Sequence, residues 1–71
     1  MKTKIDQIYV QDIGWLKSTD DIRQRGYADC YQLIKIVADT ENSYVFQCFD
    51  FDGNLVREIN YRYVICVDYK E

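Results

Sequence analysis

Seventy-one residues with 9 Lys+Arg against 12 Asp+Glu carry a formal charge of −3, and 48% of the chain is hydrophobic. Such a chain is too apolar and too weakly charged to stay disordered, and residues 1–71 are long enough for a single compact domain only. No run approaches the roughly 18 apolar residues of a spanning helix, residues 1–7 are too polar for a secretory signal, and the chain has no His, the commonest general base and metal ligand.

Residues 3–13 are rich in Ile, Tyr and Val and predict a first strand. Ile8 and Val10 share one side of an extended chain, whereas Ile5, Tyr9 and Ile13 do not join them on that face, so a bend or bulge is expected. Gly14 gives the backbone freedom to turn, and Trp15 is expected to cover one end of the core. Residues 18–26 carry helix signals. Ser18 suits an N-cap, Asp21 the acidic member of a capping box, Arg23 and Arg25 the C-terminal half, and Gly26 a left-handed cap. A helix of about two turns cannot be stable alone, so it should flank a sheet.

Residues 27–39 predict a second strand, apolar on both faces and therefore central. A polar turn over residues 39–43 leads to a third strand over 44–51. Asp52-Gly53 predicts a tight hairpin turn, because both residues tolerate positive φ. Residues 55–69 then form an extended run far longer than an ordinary strand of about 5–6 residues. Glu58 and Asn60 flank Ile59 and predict a break there. The expected strands are residues 55–58 and 63–68, joined by a tight 3₁₀ turn. Ile65 and Val67 should lie inside, and Tyr61 and Tyr63 at the rim.

This order of parts resembles a small five-stranded antiparallel SH3-like barrel, mainly β, with one short helix between strands one and two. The resemblance is one of fold, is carried by no motif, and covers residues 27–68. An OB-like barrel fits less well, because its helix falls between strands three and four.

Cys30, Cys48 and Cys66 are an odd number, unlike a secreted disulfide framework. Apolar surroundings predict three buried, reduced thiols and a cytoplasmic setting. Their even spacing matches neither zinc-ligand pairs nor a redox C-x-x-C. Residues 50–54 fail as a calcium loop, since Gly53 is the fourth residue of the run and no Glu closes it. No metal and no cofactor is expected.

The chain also lacks the pieces of an enzyme. Without His there is no Ser-His or Cys-His pair, and three isolated glycines make no phosphate loop. The pair Asp20/Asp21 suits a helix start, and Asp50/Asp52 suits a turn. A non-enzymatic protein-binding module is the best-fitting class, because Tyr, Trp and Arg dominate binding hot spots. The candidate residues are Arg57, Tyr61, Arg62 and Tyr63, the one local basic–aromatic cluster, with Asp20 and Asp21 on the acidic segment. The expected partner is a protein. A small acidic domain of this kind suits a phage or mobile-element inhibitor that occludes a site on a host nucleic-acid-handling protein of defence or transcription. One alternative is a single-stranded nucleic-acid-binding barrel using the same Arg–Tyr cluster, although the chain lacks a basic field. Another is a small structural homo-oligomer in which residues 55–69 pair with their copy. No membrane partner is expected.

Overall fold

The computed structural model describes residues 4–71. They form seven strands: β1 (Ile5–Val10), β2 (Gly14–Ser18), β3 (Cys30–Tyr31), β4 (Leu33–Thr40), β5 (Ser43–Phe49), β6 (Leu55–Asn60) and β7 (Val64–Tyr69). Single 3₁₀ turns at Ile22–Gln24 and Tyr61–Tyr63 complete the elements. The strands make two sheets, ordered β3-β2-β1-β7 and β4-β5-β6. Only the short β2–β3 pairing is parallel. Thr3, the expected start of the first strand, lies outside the described residues.

Three features differ from the sequence expectation. There are seven strands where five were expected. The additional ones arise from local backbone geometry. Asp12 at φ 67° and Gly14 at φ 102° let the chain reverse, so residues 15–18 run back along β1. The expected helix over 18–26 is a single 3₁₀ turn, and it follows β2 instead of linking strands one and two. Ser18 belongs to β2, and Asp21 is the N-cap, its side chain accepting from the Arg23 N–H at 3.0 Å. The turn ends early because Ile22 is exposed and no apolar face is buried to extend it.

The third difference is closure. Among the described residues no strand pairing joins the two sheets into one barrel. Gln32 separates β3 from β4, and the chain crosses from one sheet to the other there. The core is shared by both sheets. Ile5, Ile8, Val10 and Leu16 come from the first, and Ile34, Phe46, Cys48 and Ile59 from the second, with Tyr31 at the crossing. Ser18 is the one buried polar side chain among the described residues, and its hydroxyl donates to the Gln32 carbonyl at 3.3 Å. That bond satisfies a group whose burial would otherwise be costly.

Bulges reset the side-chain alternation. On β7, Tyr9 faces Cys66 while Val10 faces Val64, so Ile65 is an extra residue. Ile65 is therefore 66% exposed, contrary to its expected place inside, whereas Val67 does pack against the core. Cys66 also comes out to solvent, and Cys30 is half-buried, so only Cys48 is a fully buried thiol. Trp15 does not cap the core. It is 41% exposed on the outer face of the first sheet, where its ring meets Tyr9 edge-on at 5.2 Å. At the β5–β6 connection, Gly53 takes φ 85° but Asp52 does not have positive φ. The connection is a five-residue loop, not a two-residue hairpin, and its Asp50 side chain accepts from the N–H groups of Asp52 and Asn54, each at 2.9 Å.

Candidate functional site

The break around Ile59 puts Tyr61, Arg62 and Tyr63 on one 3₁₀ turn between β6 and β7. Asn60 caps it, its side-chain oxygen accepting from the Arg62 N–H at 2.9 Å. A turn of three residues spreads its side chains around the axis, so the three point differently. Tyr61 packs against the core and stacks on Tyr44 of β5, with ring centroids 4.7 Å apart and planes 24° apart. Tyr44 in turn tilts against buried Phe46 at 6.0 Å. Arg62 is exposed, and Tyr63 is 56% exposed. The sequence picks out Tyr61 but not its partner, because Tyr44 lies on β5 and Tyr61 on the turn after β6, and only the β5–β6 register brings them together.

Below Tyr63 lies a groove of about 650 Å³ between the β1–β2 turn and β6. It is lined by Val10, Gln11, Asp12 and Ile13 from the β1–β2 side, by Arg57, Glu58, Ile59 and Asn60 from β6, and by Tyr63 from the 3₁₀ turn. The Gln11 N–H donates to the Tyr63 carbonyl at 2.8 Å and ties the two sides together. The Ile13 N–H donates to the Val10 carbonyl at 3.1 Å, which makes the turn that lifts Asp12 and Ile13 to the rim. Sequence reasoning assigned no site role to Asp12 or Ile13. The available signal was Asp12 two residues before Gly14, since Asp and Gly both tolerate the positive φ of a reversal.

Arg57 and Arg62 make no ion pair among the described residues. Glu58 instead accepts from the Gln47 side-chain amide at 2.7 Å, across the strand pair. Arg57 is half-buried, opposite Cys48. Burial pushes the Cys48 thiol up to about 11, and the positive charge of Arg57 opposes that rise.

Asp20 and Asp21 are not part of this groove. Asp21 lines a separate cleft of about 290 Å³ with Asp6, Lys17, Thr19, Gln24 and Lys70, among others. The Arg23 guanidinium bonds both Asp21 carboxylate oxygens at 3.0 Å and holds that carboxyl below its ordinary range. Asp20 is exposed. The expected acidic and aromatic candidates therefore occupy different places. Among the described residues, no three Cys, Asp or Glu side chains gather as metal ligands. No helix among them is long and apolar enough to cross a membrane. Family models, curated proteins and solved structures offer no match to this chain.

Proposed function

We propose that this chain is a non-enzymatic protein-binding module, which contacts its partner through Tyr63, Arg62, Arg57 and the Tyr44–Tyr61 stack. The observation that carries this reading is an exposed Tyr and an unpaired Arg held on a capped turn that is anchored to the core through Tyr61. A rigid aromatic anchor beside an Arg loses little conformational entropy on binding, as hot-spot residues do. The three-stranded meander β4-β5-β6, the 3₁₀ turn and the return of β7 to β1 support an SH3-like arrangement of the two sheets. Net acidity favours a basic target surface. A small inhibitor from a phage or mobile element, covering a phosphate-binding site on a host nucleic-acid-handling protein, is the setting that this acidity fits best.

The test is capture from host lysate with tagged protein, followed by titration of the recovered partner. Arg62→Ala and Tyr63→Ala should each weaken binding by about 2 kcal/mol, or about 30-fold, with the thermal melt unchanged. Recovery of no stoichiometric protein, or equal binding by both variants, would sink the proposal. Single-strand binding by the same Arg–Tyr cluster is the second reading. It requires measurable binding of short single strands at low salt, where electrostatics are strongest.

A further inference from the structure

β6 is an edge strand. Among the described residues it pairs with β5 on one side only, and none of their backbone hydrogen bonds made outside the sheets involves residues 55–60. An open edge is a row of donors and acceptors ready to accept another strand. The other edges are worse templates. β3 has two residues, the β7 ladder is broken by the Ile65 bulge, and β4, though regular over residues 33–38, packs against β1 and β2 of the other sheet. The irregularity in β6 lies at Val56, near its start, so residues 57–60 keep a regular register with Cys48, Gln47, Phe46 and Val45. The groove runs along this regular half.

We propose that the groove receives an extended segment of a partner protein, which adds to the free edge of β6 as a fourth strand and alternates apolar with basic residues. This rests on the protein-binding reading and names the partner chemistry for the Arg57–Tyr63 side of that site. The alternation follows from the pleat. Arg57 and Ile59 share the inner face of β6 with the core, while Glu58 and Asn60 share the outer face. Inward side chains of an added strand lie beside Ile59 and Arg57 and face Val10, Ile13 and Tyr63, so apolar residues suit them and the charge of Arg57 disfavours a basic one there. Outward side chains come beside Glu58, and Asp12 adds a second carboxylate at the rim. Cross-strand opposite charges are favourable, so the outward positions select Lys or Arg. Backbone pairing supplies affinity, and these alternate positions supply specificity.

The probe is a fluorescein-labelled, end-capped peptide, Lys-Val-Lys-Ile-Lys-Val-Lys-Ile, read by anisotropy together with amide exchange. Binding should slow exchange among the amides of residues 57–60. Two N-methylated versions, blocked at alternate residues of opposite parity, keep every side chain and charge. One should lose affinity by roughly 10-fold or more, and the other should bind within about 3-fold of the parent, because an edge uses donors of one parity only. Asp12→Asn and Glu58→Gln keep the local hydrogen-bonding shape and should each weaken the Lys peptide about 2–5-fold at low salt. Equal binding of a peptide with Glu in place of Lys would overturn the charge assignment. Equal binding of both N-methylated peptides would overturn the strand addition. Protection of residues 57–60 that grows with protein concentration alone would also overturn it, by making a second copy the occupant. A partner from lysate that still depends on Arg62 while the peptide fails to bind would overturn the edge assignment and leave protein binding standing.

Discussion

Cys30, Cys48 and Cys66 sit in three environments, and each follows from strand position. Cys48 faces inward from the middle of β5, and burial raises its thiol to about 11. At pH 7 its thiolate is then only about one part in ten thousand. Cys30 is half-buried on two-residue β3, and burial raises its thiol too, with the charge of Asp29 adding to the rise. Cys66 is exposed on the outer face opposite Tyr9. Native labelling with a thiol probe, followed by mass spectrometry, should therefore modify Cys66 first and Cys30 more slowly. Cys48 should react only when the protein unfolds. Early modification of Cys48 would mean that the two sheets separate readily in the native state. The sequence expectation of three buried thiols failed for one reason: apolar neighbours report a strand, but not which side of it faces the core.

At the scale of elements, the strands that carry the core were legible and their interruptions were not. Alternation from Tyr44 to Cys48 gives β5 directly, and the polar pair around Ile59 gives the 3₁₀ turn that holds Tyr61. The bulge at Ile65 left no such mark, because Val64, Ile65, Cys66 and Val67 are all apolar. A one-residue offset then reverses which side chains are exposed. The Tyr44–Tyr61 stack was hidden for a related reason, since it depends on cross-strand register. The β5–β6 loop was half legible. Gly53 takes positive φ, but Asp50 organises the loop by accepting from two backbone N–H groups. Those bonds, the one from Asn54 foremost, hold the Asp50 carboxyl below its ordinary 3.8. Asp21 is lowered in the same direction by Arg23. A lowered carboxyl stabilises the fold above its unfolded value, and that contribution is lost as pH falls through the folded value. Thermal melts should therefore be flat from neutral pH down to about 4 and fall below it. Asp50→Asn keeps an acceptor without the titration, so its melt should fall less between pH 4 and pH 2. An equal fall in both proteins would mean that Asp50 does not contribute to the acid step.

For the whole molecule, stability rests on one small core shared by two sheets, and the outer faces contribute little to it. A domain of 71 residues has roughly 4–11 kcal/mol of net stability at the usual 0.05–0.15 kcal/mol per residue. Ile8 is fully buried on β1, the strand that sits between β2 and β7 and also packs against β4. Truncating it to Ala removes about 2–5 kcal/mol, a large share of that total. Trp15 is the largest side chain in the protein, yet it lies on the outer face against Tyr9 alone among the described rings. Trp15→Ala should cost about 1 kcal/mol, the scale of one edge-on aromatic pair. Chemical denaturation of the two variants should thus rank them against side-chain size, with Ile8→Ala much less stable than the parent and Trp15→Ala close to it. The reverse ranking would place Trp15 in the core, and the packing of the first sheet described above would then be wrong. With the expected ranking, Trp15 and Tyr9 form an aromatic face that folding does not require, on the opposite side of β1 from Ile8.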